Sequence, residues 1–351
     1  MGDSSDLKLA ASVAAGVHAR VPGRASPRMA FAAGALALLL FAGWEGSLVA
    51  SGVTPDSLPG ELDLWLENYR KIGPDSVVFV GSSRTQQDIS PAVVAEVLGI
   101  PHERVINLGI SAGPGLPMLE HFAAREDFKG TLVVEILPTH DFGGEPSPMQ
   151  NACIEQLVRP RPYSDAELAM HTAWATNLRS VSEHGSPLAA ARAVTWRMRG
   201  EEMSSNKVAQ QLHRDRWREI LSPEPDNAKR KADAEDTART FSRWGKPPQP
   251  WQLEALIARY DAAARKLESR GGVVILARMH SGLSVLEAEE QRFPRVQTWD
   301  TLARRLPGRC WHFAGDPVAS RLQTFDGSHL RGEDAVALSR RLGELLKGRM
   351  R

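Results

Sequence analysis

Residues 76–84 read Ser-Val-Val-Phe-Val-Gly-Ser-Ser-Arg. Four consecutive apolar residues, three of them valine, stop abruptly at Gly81. A short unbroken apolar run bounded by turn residues fits a strand covered on both faces, as in a parallel sheet. Glycine then permits a sharp turn. The hydroxyls of Ser82 and Ser83 follow just past the strand's C-terminal end, where open α/β sheets place their ligands.

Working outward, four similar runs follow: Arg104–Leu108 (RVINL), Thr131–Leu137 (TLVVEIL), Val273–Ala277 (VVILA) and Cys310–Phe313 (CWHF). Helical patterns lie between them. Pro91–Leu98 has Ser90 as N-cap and Pro91 at the first helical position. Leu116–Ala124 separates the second and third runs. Leu253, Leu256, Ile257, Tyr260, Ala264 and Leu267 keep a 3-4 spacing before the fourth, as do Ala335, Val336, Leu338, Leu342, Leu345 and Leu346 at the C-terminus. Alternation of this kind predicts a doubly wound α/β domain with a five-stranded parallel sheet.

The third and fourth runs are too far apart for an ordinary crossover. Residues 151–250 are therefore read as a helical insertion, dividing the domain into residues 54–150 and 251–351. Ala166–Trp174, Leu188–Arg199 and Ser205–Leu221 read as helices. Ser222–Pro250, polar and proline-containing, reads as an exposed loop. Trp174, Trp196, Trp217, Trp244 and Trp251 fall in or beside the insertion. Helix-packing core is the preferred reading for them, and a sugar-stacking surface is the alternative.

The chain has 351 residues, 42% hydrophobic and 24% charged, which excludes a disordered, collagen-like or polytopic membrane protein. A net charge of +1 gives no pull towards nucleic acid. Residues 1–28 read as a tail with four basic residues, and Met29–Val53 as a transmembrane helix, since about 20 apolar residues cross a bilayer. Lys8, Arg20, Arg24 and Arg28 precede it, and Asp56, Glu61 and Asp63 follow. The positive-inside rule then leaves the N-terminus cytoplasmic and the rest outside the membrane. A signal peptide cleaved near Val49-Ala50-Ser51 and a buried core helix are the alternatives. Outside the cytoplasm, Cys153 and Cys310 could form one disulfide; two buried thiols are the equal alternative.

Asp326-Gly327-Ser328-His329 stands just before the last helical pattern. Residues three apart on a turn share a face. Asp326 can then hold one imidazole nitrogen of His329, leaving the other to take a proton from a hydroxyl. Arg84, Arg278 and His280 follow strand ends and are read as lining the same crevice for a polar or anionic substrate. Glu135, inside an apolar strand, is expected to pair with a cation if buried. Gly109-Ile110-Ser111-Ala112-Gly113 fits the G-x-S-x-G nucleophile elbow, which offers Ser111 as an alternative nucleophile. The histidines show no H-E-x-x-H pattern and the first turn no G-x-G-x-x-G or P-loop, so no metal or nucleotide cofactor is expected.

Gly81-Ser82-Ser83, Asn107-Leu108-Gly109-Ile110-Ser111-Ala112-Gly113 and Asp326-Gly327-Ser328-His329, in this order, resemble the motif blocks of the SGNH hydrolase superfamily. The chain is most similar to its membrane-anchored extracytoplasmic branch, which includes relatives of alginate O-acetyltransferases and of teichoic-acid alanylation proteins. The resemblance covers about residues 76–137 and 271–346. It implies a three-layer α/β/α, flavodoxin-like domain with Ser83 as nucleophile, His329 as base and Asp326 as its orienter. It implies an oxyanion hole from the Ser83 amide with Gly113 or Ala112. Three departures stand out. Ser82 replaces the usual aspartate of the first block, and the second-block glycine is displaced by one residue. The third block, Val134–Asp141, lacks the usual asparagine, so Thr139 or His140 is expected to donate instead. The implied activity is hydrolysis or transfer of an ester-linked acyl group, acetyl above all, on a glycan of the cell envelope. The implied setting is the periplasmic side of a bacterial inner membrane, with a membrane protein as acyl donor. A non-catalytic accessory protein that binds polysaccharide or its export complex is the alternative, motivated by the missing asparagine.

Overall fold

The computed structural model describes residues 26–51, 61–144, 147–158, 164–181, 186–188, 191, 195, 198, 210–220 and 225–350. Two compact units emerge: residues 1–56 with 177–195, and residues 57–176 with 196–351.

The first unit is built on the helix Pro27–Ala50, capped by Ser26, whose hydroxyl accepts from the Met29 amide. Its 24 residues are long and apolar enough to cross a membrane. At 1.5 Å per residue it spans about 36 Å. The Glu45 carboxylate accepts from the Arg179 and Ser180 amides at 3.2 and 2.7 Å, holding a short 3-10 turn within the same unit.

The second unit holds the expected sheet. Its parallel strands are β1 (Val77–Val80), β2 (Val105–Asn107), β3 (Thr131–Glu135) and, later in the chain, β6 (Val273–Arg278) and β7 (Cys310–His312). Their spatial order is β2-β1-β3-β6-β7. Counted within the sheet alone this is 2-1-3-4-5, a common doubly wound order, which opens a crevice past the C-terminal ends of β1 and β3. Side chains alternate between the faces. Val78, Val80, Leu132, Val134 and Leu276 pack with the helices Gly115–Ala124 and Pro250–Glu268. Val77, Phe79, Val133 and Ile275 pack on the opposite side with the helices Pro91–Leu98 and Gly332–Arg349. These are three layers, α/β/α. Ser90 does not cap its helix by side chain; its amide instead donates to Ser339 Oγ at 2.8 Å.

The insertion is not all helical. Ser164–Asn177 is a helix, and Leu188, Ala191, Thr195 and Met198 are helical positions; the remainder of Leu188–Arg199, with Trp196, lies outside the described residues. The helix expected over Ser205–Leu221 is replaced, where described, by an antiparallel hairpin of β4 (Gln210–Leu212) and β5 (Arg218–Ile220). Its turn carries Arg216 at φ 72°. The loop expected over Ser222–Pro250 contains the helix Asn227–Phe241, capped by Asp226. Lys229–Asp233 and Lys231–Glu235 pairs one turn apart support its polar face. Phe241 seals its end. Among the described residues, the tryptophans form no common stacking surface. Trp217 is buried, Trp174 stacks on His171, Trp244 abuts His140, and Trp251 is exposed.

Both cysteines are free: Cys153 is buried in the core and Cys310 is half-buried beside it. Burial pushes their thiols up to about 12 and about 11. Unfolding the protein in denaturant without reductant should therefore release two titratable thiols per chain. A count of zero would show the disulfide instead.

Candidate active site

The site starts at Gly81, at the end of β1. Its φ of +151° is one that residues with a side chain rarely adopt, and a Cβ there would lie 2.4 Å from Glu135 Cβ. Only glycine lets β3 come this close. Glu135, fully buried at the end of β3, turns its carboxylate into the Ser82 turn. Oε1 accepts from Ser82 Oγ at 2.8 Å. Oε2 accepts from Ser82 N at 2.8 Å, Thr85 N at 3.2 Å and Thr85 Oγ1 at 2.7 Å. The cation expected for Glu135 is thus replaced by amides and hydroxyls, among them the otherwise unpaired Thr85 amide of the helix Ser83–Asp88. Ser82 Oγ also accepts from the Arg84 amide at 3.1 Å as N-cap.

Ser83 opens that helix and is half-buried. Its Oγ is 2.9 Å from His329 Nε2, and His329 Nδ1 is 2.8 Å from Asp326 Oδ2. Asp326 Oδ1 accepts from the Ser328 and His329 amides at 2.9 and 2.8 Å. The loop is closed at its base by the Thr324–Leu330 bridge and by Phe325 N donating to His329 O. Gly327 sits at φ +88°, and a Cβ on it would meet Ala234 Cα at 2.9 Å. Asp88, at the other end of the serine helix, accepts from the Leu330 amide at 2.8 Å. One short helix therefore carries Ser83 at its start and an anchor for the histidine loop at its end.

The electrostatics suit proton transfer. Burial opposes charge on Asp326, but attraction to His329 and three hydrogen bonds hold its carboxyl far below the usual range. Burial likewise opposes charge on His329, yet Asp326 outweighs it and raises the imidazole above its ordinary 6.5. Burial pushes Asp88, the second carboxyl near the ring, up to about 8. Ionised Asp326 fixes Nδ1 as the donor, which leaves Nε2 to accept the Ser83 proton.

Other expected residues fall differently. Gly113 N already donates to Ile110 O at 2.8 Å, which removes it as an oxyanion donor. Ala112 takes a left-handed φ of 56° in the same turn. That turn is tied to Gly81 by the Ile110 amide, which donates to Gly81 O at 2.9 Å. Thr139 is buried and hydrogen bonded to His140 Nδ1 at 2.9 Å, so its hydroxyl is engaged by its neighbour. Arg84 and Arg278 do not line an open crevice. Both are buried, and both pair with Glu289. Arg84 Nε also donates to Ser328 Oγ at 3.1 Å. His280 lines a cavity of about 590 Å³ beside the histidine loop, together with Gly282, Thr324, Arg230 and Lys231. Burial pushes it down to about 4, so it is neutral there. Ser111 is exposed, and among the described residues no histidine bonds its hydroxyl.

Sequence reasoning missed Asp88, Glu289 and the hairpin. Arg216 reaches back from the hairpin turn, donating to Gly109 O at 2.6 Å and Glu61 O at 2.9 Å. Trp217 Nε1 donates to Gln87 O at 2.8 Å, on the serine helix itself. The insertion thus braces the site, and no local motif signals that. Among the described residues, no cluster of histidine, cysteine, aspartate or glutamate could hold a metal ion.

Compared with known proteins, the chain matches no family model and no curated sequence.

Two outcomes follow from this geometry. Glu135→Gln turns an amide NH2 towards the donors of Ser82 and Thr85, leaving buried groups unpaired. It should cost about 2–4 kcal/mol in denaturant unfolding and displace Ser83. An unchanged unfolding midpoint would contradict this role. A neutral His329 is required to accept a proton, so Ser83 reactivity should be low in acid. It should rise through a midpoint above His329's ordinary 6.5. A rate of Ser83 modification independent of pH would contradict it.

Proposed function

We propose that the protein is an SGNH-type esterase or O-acyltransferase acting on an ester-linked acyl group, acetyl first, of an extracytoplasmic glycan. The observation that carries this reading is the unbroken series Ser83 Oγ–His329 Nε2–His329 Nδ1–Asp326 Oδ2 at the C-terminal end of a parallel sheet. The resemblance of the three motif blocks supports it. So does the replacement of the missing first-block carboxylate: Glu135 supplies one to the same turn from the neighbouring strand.

In this mechanism Ser83 Oγ attacks the acyl carbon while its proton passes to His329 Nε2. A new C–O bond forms and the carbonyl π bond opens to an oxyanion. The Ser83 amide, first in its helix and without an intrahelical acceptor, faces that charge, joined by the Ala112 amide. Collapse breaks the ester C–O bond, and the leaving alkoxide takes the proton from His329. Water, or a hydroxyl of a second sugar, then attacks the acyl carbon with His329 again as base, and the bond from Ser83 Oγ to the acyl group breaks as His329 returns the proton to Ser83. The cavity beside the histidine loop offers hydroxyl and amide side chains for the glycan. The helix Pro27–Ala50 anchors the chain in a bacterial inner membrane, with the second unit on the periplasmic side and a membrane acyl donor as partner.

The alternative is an accessory protein that binds polysaccharide without turnover. Fluorophosphonate labelling of the full chain separates the two. Label should attach to wild type and to Ser111→Ala, and be lost in Ser83→Ala and His329→Ala. A folded wild type that takes no label would favour the binding protein; label lost only in Ser111→Ala would identify the nucleophile elbow.

A further inference from the structure

The residue after the nucleophile is an arginine whose side chain is 1% exposed. Its guanidinium touches three separate elements. Nε donates to Ser328 Oγ, beside His329, at 3.1 Å. Nη2 donates to Glu289 Oε1 at 3.0 Å, on the helix Leu283–Arg292. The guanidinium carbon lies 5.0 Å from the centre of the Phe241 ring, at the end of the insertion helix. Glu289, itself 1% exposed, uses its other oxygen for Arg278 at the end of β6. Arg278 is also held by Ser281 Oγ at 3.3 Å. Two buried guanidinium groups therefore share one carboxylate.

Such a cluster is a poor way to gain stability. Desolvating charges is expensive, and apolar replacements of similar volume are often neutral or better. What a buried ion network supplies is a fixed geometry. Here it ties the residue after Ser83 to the residue before His329. We propose that Glu289 is a positioning residue for this site: by pinning Arg84 it locks the Ser328 hydroxyl, and so the Asp326–His329 loop, against the helix that begins with Ser83. This inference builds on the catalytic reading of Ser83 and His329.

The cluster also sets the charge beside the imidazole. The groups acting on His329 are Asp326 on its own loop, and Asp88 and Arg84 on the serine helix. Behind them, Glu135 on β3 acts on Asp88, and Arg278 on β6 and Arg84 repel each other. Attraction to Asp326 raises the His329 pKa, and repulsion from Arg84 lowers it. Glu289 offsets part of that repulsion. Removing Glu289's charge should therefore move the His329 titration down, and removing Arg84's charge should move it up. A residue that merely fills space would do neither.

The test uses the full chain in detergent micelles, with selectively labelled histidine. His329 is titrated by NMR, and fluorophosphonate labelling of Ser83 is followed against pH in parallel. Glu289→Gln should lower the His329 midpoint and Arg84→Gln should raise it, each by about half a unit or more, below the 1–3 units of a directly paired charge. Both variants should slow the plateau labelling rate. Arg84→Lys should keep the midpoint near wild type, since it keeps the charge, and still label slowly because it loses the fork to Ser328. His329 midpoints that coincide with wild type in folded Glu289→Gln and Arg84→Gln would overturn the proposal, as would wild-type labelling rates in both. Should Glu289→Gln fail to fold, the two Arg84 variants carry the same opposite predictions. Because the NMR titration needs no turnover, absent labelling of wild type would sink the catalytic reading while the midpoints still decide the positioning role.

Discussion

A single buried carboxylate organises the crevice. Glu135 lies at the end of the central strand β3 and accepts four hydrogen bonds from Ser82 and Thr85. It gathers in one place the donors that a turn and a helix start leave unpaired. The arrangement needs a glycine at position 81, because a side chain there would overlap Glu135. With the turn fixed, Ser83 has one place to be, and its hydroxyl meets His329 without a loop having to close.

The histidine arm is held with similar redundancy. Asp326 holds the His329 ring and the amides of Ser328 and His329, Asp88 holds Leu330, and Arg84 holds Ser328. Gly282 N donates to Gly327 O, fastening the loop to the β6 side of the crevice. Two of these anchors, Arg84 and Asp88, lie on the same short helix as Ser83. Displacing that helix therefore moves Ser83 and His329 together, which keeps their separation constant. The hairpin turn at Arg216 and Trp217 then props the helix from outside.

Much of this was legible in the sequence, for definite reasons. Buried parallel strands need unbroken apolar runs, so all five could be read, as could the helices that cover them. The Asp326–His329 pairing was legible because both partners sit on one turn. The insertion was not. Gln210–Ile220 has mixed polarity and its two short strands pair with each other, so its helical reading failed. Asn227–Phe241 is dominated by charged and polar residues, its apolar positions being alanines and the terminal Phe241, so it resembled a loop. Arg84 and Arg278, which looked like substrate ligands, both turn inward to share Glu289, one of several glutamates in an ordinary amphipathic helix. Pairings that distant in sequence leave no periodicity to read.

The proposed function requires that Ser83, activated by His329, becomes acylated. The most direct measurement is rapid acid quench of the full chain with 4-nitrophenyl acetate, followed by peptide mass spectrometry. An acetyl group is expected on the peptide containing Ser83 in wild type, and none there in His329→Ala. Acetylation at Ser111 instead, or equal modification of Ser83 with and without His329, would contradict it.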